Sequence, residues 1–180
     1  MNVGEKTVSL NDFRDDAPWE DGAGAFEEIS VPDQIDGVQL YRLVTHADDR
    51  GDLTVLLSQH YAPFENVPHV YQVTTAPGSV RAWVYHKRQH DRLAYTNGDI
   101  RVVLYDLRPG SPTHGKLNVL DVGSGNKVLL VIPPFVVHGV QNRGDSDAAF
   151  MNMPTRAYDP ADPDKSRLPW DHPGIPYRFE

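Results

Sequence analysis

Apolar residues along this chain recur in short blocks broken by turn-forming residues, and from Val38 onward that rhythm is almost unbroken. Val38–Val44, Leu53–Ser58, Val70–Thr74, Val80–Tyr85 and Arg92–Tyr95 come first, and Ile100–Leu107, Leu117–Leu120, Val128–Ile132 and Val137–Gln141 follow. The blocks are rich in Val, Leu, Ile and Tyr, with Gly, Pro, Asn or Asp between them, which is the pattern of strands in a β-sandwich or barrel. No stretch longer than about ten residues keeps a helical period, so helix is expected to be scarce. Asn97-Gly98 sits between two blocks. Both residue types tolerate positive φ, and the pair predicts a tight hairpin there.

This patterning divides the chain into three stretches within a single domain, which suits its 180 residues. Residues 1–37 open with an acidic stretch of little periodicity and read as an arm that packs on the body or on a partner subunit. Residues 38–153 carry the blocks and form the barrel. Residues 154–180, rich in Pro, Asp and aromatics, are expected to wrap it as turns and short helical pieces.

Composition narrows the function. Hydrophobic residues at 39% and charged residues at 23% fit a soluble globular protein. The chain has no cysteine, which excludes disulfides and thiolate metal sites. No N-terminal apolar stretch or membrane-length run is present, so a cytoplasmic protein without membrane partners is expected. A formal net charge of −8 argues against a nucleic-acid binder. It leaves room for a small anionic ligand, because a diphosphate needs only a few well-placed arginines.

Two segments carry the candidate chemistry: Gly78 to Asp91 (GSVRAWVYHKRQHD) and Ile132 to Asn142 (IPPFVVHGVQN). Side chains two apart on a strand share a face, so histidines spaced this way converge at a barrel mouth with one from a neighbouring strand. The pair of segments resembles the two motifs of cupins, with Val84 in the first histidine's place, His86 in the second's, His90 or Asp91 near the acidic position, and His138 in the second motif. His86, His90, Asp91 and His138 are the ligands if a metal is bound. The alternative is that His86 and His138 line a polar pocket without metal.

A further set of segments is similar to one cupin family. Tyr105 to Gly115 (YDLRPGSPTHG) resembles the DLR-x-x-SPT-x-G signature of the dTDP-4-dehydrorhamnose 3,5-epimerases, and Ile132 to Gly139 resembles their IP-x-G-F-A-H-G element. Arg50-Gly51 resembles their early RG-x-F, Val80-Arg81 their R-G-L-H-Y-Q strand, and Thr155 to Pro160 with Trp170 to Pro173 their closing segments. The resemblance runs in order from about residue 38 to 178 and implies an all-β, cupin-type antiparallel jelly roll and a homodimer. It also implies a cofactor-free reaction on a nucleotide-linked 4-keto-6-deoxysugar, in deoxysugar or polysaccharide biosynthesis. In that reaction a base removes a proton beside the ketone, an acid on the opposite ring face returns one, and polar groups hold the enolate oxygen.

Position by position, the resemblance also shows departures. The family's base histidine falls on Val84, its acid tyrosine near Asn152, its C-terminal aspartate on Asp171 or His172, and its next-strand lysine on Asp91 or Arg92. His86, sharing Val84's face, is the natural substitute base. The candidate catalytic set is therefore His86, His138, Asp171 and His172. The candidate substrate-binding set is Arg50, Gln72, Arg81, Arg92, Arg108, Asn152 and Tyr158, with Arg50 and Arg81 on the phosphates. Arg108 has a second reading as a structural partner of Asp106. Two other functions stay open: ligand binding without catalysis, and metal-dependent cupin catalysis.

Overall fold

Alternation along the strands decides the layering. In the run Val128–Ile132, Val128, Leu130 and Ile132 pack into one buried cluster, while Leu129 and Val131 pack into another on the opposite face. A strand buried on both faces is sandwiched, here between the barrel core and a covering layer. The computed structural model describes residues 8–16, 26–60 and 66–180. They form strands β1 (Glu27–Ile29), β2 (Gln39–Arg42), β3 (Thr45–Asp48), β4 (Gly51–Thr54), β5 (Tyr71–Thr75), β6 (Val80–His86) and β7 (Asp91–Asn97). Next come β8 (Asp99–Asp106), β9 (Leu117–Gly123), β10 (Val128–Ile132), β11 (Val136–Asn142), β12 (Ala148–Asn152) and β13 (Lys165–Arg167). The helix content of the described residues is one 3-10 turn, Leu10–Asp12.

The strands form a six-stranded sheet ordered β1-β2-β10-β7-β12-β5, a five-stranded sheet ordered β13-β6-β11-β8-β9, and the hairpin β3-β4. Strand β5 pairs with β12, β6 with β11, β7 with β10 and β8 with β9, all antiparallel. That nesting is a long hairpin wound around itself, the jelly roll expected from the sequence. Between the sheets lies the main core, including Ile35, Tyr95, Ile100, Leu104, Leu130, Ile132 and Val140. Each such fully buried side chain contributes about 1.5–3 kcal/mol by leaving water.

All nine expected blocks contain strands. The Asn97-Gly98 hairpin is a correction: β7 and β8 do not pair with each other but lie in different sheets. Gly98 (φ 82°) turns the corner between the sheets, and a Cβ there would stand 2.3 Å from the Ala148 Cβ. The permissive backbone is used, but to cross over rather than to fold back. The stretch expected as an arm contributes β1 to the six-stranded sheet. Residues 154–180 form turns and β13 instead of helical pieces, and Ile175 and Phe179 cover Trp83 on the outer face of the five-stranded sheet.

Candidate active site

A slip in one ladder aims the site. His138 faces Val84 across β11 and β6, but two residues on, Val140 faces Arg81, so β6 carries one extra residue. The bulge places Arg81, Val84 and His86 on the cavity side together. Gly139 permits the close approach, since a Cβ there would lie 2.3 Å from the Ala82 Cβ. Strand β13 then pairs with β6, Lys165 opposite His86 and Arg167 opposite Val84, which brings both cations to the same face. From the other sheet, Leu93, Tyr95 and Asn152 point inward, and Asn152 stands opposite Tyr71.

These side chains enclose an inner cavity of about 390 Å³, lined by Tyr71, Arg81, Asp91, Tyr95, His138 and Asn152 among others. An outer cavity of about 380 Å³ adjoins it, lined by residues including His69, His86, Arg88, Gln89 and Tyr158. Tyr71, Lys165 and Arg167 line both. Between the two sits a buried cluster. Asp91 Oδ2 is 3.3 Å from His86 Nε2 and 3.3 Å from His138 Nε2. Asp91 Oδ1 accepts hydrogen bonds from Gln89 Nε2 (2.7 Å) and Asn152 Nδ2 (3.1 Å). His138 Nδ1 is 3.2 Å from the Val136 carbonyl, which can only accept, so Nδ1 carries the proton.

The electrostatics follow from burial and neighbours. Burial alone would raise the Asp91 carboxyl, but His138 and His86 outweigh it and hold it well below the usual carboxylate range. Burial pushes Lys165 down; Asp91 opposes that shift, and Arg167 and Arg81 reinforce it. Burial, then Asp91, raises Tyr71, against the hydrogen bond from Asn152. Tyr95 is raised well above the ordinary value for the same two reasons, and its buried hydroxyl has no hydrogen-bond partner among the described residues. Arg81, Lys165 and Arg167 form no salt bridge among the described residues.

The structure brings together only part of the residues singled out from the sequence. His86, Asp91, His138, Arg81 and Asn152 meet at the cavities, and exposed Tyr158 lines the outer one. His90 stays out of the cluster, its amide donating to Thr155 Oγ1 at 3.0 Å. Asp171, exposed, and His172, half-buried, lie at a turn of the tail away from the cavities, where His172 Nδ1 accepts from the Gly174 amide at 3.1 Å. Arg50 sits at the β3–β4 turn, bonded to Asp48. Gln72 points to solvent from β5. Arg92 is buried and donates to the carbonyls of Met153 (2.7 Å) and Asn66 (2.8 Å). Arg108 clamps Asp106 through Nε (2.9 Å) and Nη2 (2.8 Å). Sequence reasoning did not single out Tyr71, Tyr95, Lys165 or Arg167 as site residues. Tyr71 lay inside an expected strand, but Lys165 and Arg167 lie in a tail with no periodic signal.

A jelly roll with a cationic rim over a buried imidazole–carboxylate cluster defines a cupin-type protein with a polar cavity between its sheets. The family model described as dTDP-4-dehydrorhamnose 3,5-epimerase matches residues 32–179. The chain therefore belongs to the dTDP-4-dehydrorhamnose 3,5-epimerase family. It is 35% identical over 145 residues to the spore coat polysaccharide biosynthesis protein SpsL of Bacillus subtilis (strain 168), covering 81% of this chain and 96% of that one. It is 37% identical over 139 residues to the probable low-salt glycan biosynthesis epimerase Agl13 of Haloferax volcanii, covering 76% and 89%. Among solved structures, a dTDP sugar isomerase from Desulfovibrio desulfuricans G20 superposes with a TM-score of 0.76 at 32% identity, over 81% of this chain and 92% of that one.

Proposed function

We propose that this protein is an isomerase that inverts a carbon beside the ketone of a nucleotide-linked 4-keto-6-deoxysugar, in the synthesis of a surface glycan. The supporting observation is the group of cations Arg81, Lys165 and Arg167, without a salt bridge among the described residues and set over a cavity that holds Asp91 and His138. Arg81 and Arg167 suit the diphosphate, and the inner cavity suits the hexose.

Val84 cannot carry a proton, and His86 Nε2 is turned toward Asp91 rather than into the inner cavity. The groups free to move a proton come instead from opposite sheets: Lys165 on β13 and Tyr71 on β5. Burial drives Lys165 toward its neutral amine, the form that takes the ring proton. Tyr71, held by Asn152, returns one on the other face; Lys165 then gives its proton up to solvent and Tyr71 takes one back from it. In this reading the protein is a cytoplasmic homodimer.

The test is turnover of dTDP-4-keto-6-deoxyglucose followed by proton NMR, where inversion changes the ring coupling constants. A product of altered coupling supports the reading. Val84 at the family's base position favours a second one, a ligand-binding protein without catalysis, which predicts saturable binding and unchanged couplings.

A further inference from the structure

We propose that His86, Asp91 and His138 hold one divalent transition-metal ion, zinc by their donor chemistry, with a coordination position open to the inner cavity. The site goes beyond the epimerase reading and does not depend on it.

Spacing carries the first part of the argument. Two imidazole nitrogens each stand 3.3 Å from one carboxylate oxygen. One donor atom from each of the three residues fits within a span of 4.8 Å. Zinc bound tetrahedrally at about 2.0–2.1 Å places its ligands about 3.3–3.4 Å apart. The two measured edges are those of such a polyhedron.

Protons carry the second part. Donation from His138 Nδ1 to the Val136 carbonyl leaves Nε2, the ring's other nitrogen, directed at Asp91 Oδ2. A cation between them would be shared by the nitrogen and the carboxylate oxygen. His86 is more conspicuous still: its side chain is 8% exposed, and among the described residues neither ring nitrogen has a hydrogen-bond partner, with Asp164 Oδ2 3.8 Å from Nδ1. Buried polar atoms are satisfied in nearly all native proteins, and a metal is one of the partners that satisfies them.

The surroundings carry the third. Gln89 and Asn152 occupy Asp91 Oδ1, so Oδ2 alone is presented, while Val136 fixes the His138 tautomer. Outer partners of this kind orient metal ligands. Two histidines, one carboxylate and one open position make a catalytic-type zinc site. Asp91 and His138 line the inner cavity, so the open position faces the space assigned to the sugar. An ion held there would supply a Lewis acid to a carbonyl oxygen bound in that cavity.

The experiment uses the full chain without an affinity tag, stripped with chelator and dialysed. Zinc titration by calorimetry is expected to show one equivalent bound. Asp91→Asn and His86→Ala are expected to weaken binding at least 100-fold, Gln89→Ala about 10-fold as an outer partner, and His90→Ala not at all. If a variant fails to fold, the wild type still decides: cobalt is expected to give the intense visible absorption of a four-coordinate ion and to be displaced by one equivalent of zinc. Substoichiometric zinc, or equal binding by wild type and a folded Asp91→Asn, overturns the proposal. Stoichiometric zinc without ketosugar turnover upholds the site and removes the epimerase reading. Turnover by a protein that binds no zinc does the reverse.

Discussion

Asn152 on β12 stands directly opposite Tyr71 on β5, and its amide donates to the tyrosine hydroxyl at 2.8 Å. The resemblance puts the family's acid tyrosine near position 152, and the neighbouring strand carries a phenol, Tyr71, at that corner of the cavity. The same amide also reaches Asp91 at 3.1 Å, which ties Tyr71 to the buried cluster.

Tyr71→Phe is expected to separate two steps. Removal of the ring proton, read as exchange with deuterated water, survives, while inversion slows by about 100-fold or more, the usual range for loss of a general acid. Equal inversion rates in wild type and variant would remove Tyr71 from the reaction.

Arg81 and Arg167 are expected to bind rather than to react. A hydrogen bond to a charged group is worth about 1.5–3 kcal/mol, so Arg81→Ala or Arg167→Ala should weaken sugar-nucleotide binding roughly 10- to 100-fold. Titration at two salt concentrations checks the cause, because removing a phosphate contact also flattens the salt dependence.

The Asp106 clamp makes stability depend on pH. Burial raises this carboxyl, but Arg108, Ser111 and Thr113 outweigh it and hold it far below its ordinary value. Ser111 Oγ donates at 2.6 Å and Thr113 Oγ1 at 2.7 Å. A depressed folded-state value means that the stabilisation is complete above the unfolded value, about 3.9. It is lost as pH falls from there through the folded value. Asp106→Ala is expected to cost about 3 kcal/mol at neutral pH, as for a broken buried pair, and to flatten the acid limb of a denaturation series. The DLR-x-x-SPT element is thus a loop lock, which also gathers the Asp36 carbonyl through Arg108 Nη2 at 2.7 Å.

Gly98 tests the corner between the sheets. Gly98→Ala adds a Cβ 2.3 Å from Ala148 at a φ of 82° and should destabilise by more than 1 kcal/mol, seen as a lower urea midpoint. Gly110→Ala, equally left-handed but with open space around it, is expected to cost less.

The sequence carried the layered fold because the barrel strands are long and apolar enough to show their period. It hid β1, β3 and β13, which are short, largely polar edge or hairpin strands, and β12, whose burial depends on the neighbours it pairs with. Asn97-Gly98 declared a tight turn but not its direction, since a hairpin and a sheet-to-sheet corner need the same positive φ. In the site, His86 and His138 were legible from their spacing. Gln72 was singled out where Tyr71 faces the cavity, because strand phase is fixed by pairing and one residue of shift exchanges the faces. Lys165 and Arg167 were invisible, since only pairing with β6 turns them inward.

Lys165 is the base of the proposed reaction, and the most direct measurement is proton–deuterium exchange at C3 and C5 of dTDP-4-keto-6-deoxyglucose, wild type against Lys165→Met. Exchange by the wild type that falls at least about 100-fold in the variant, with sugar-nucleotide binding retained, is the predicted result. Exchange that persists in Lys165→Met would place the base elsewhere, and none from the wild type would contradict the isomerase reading itself.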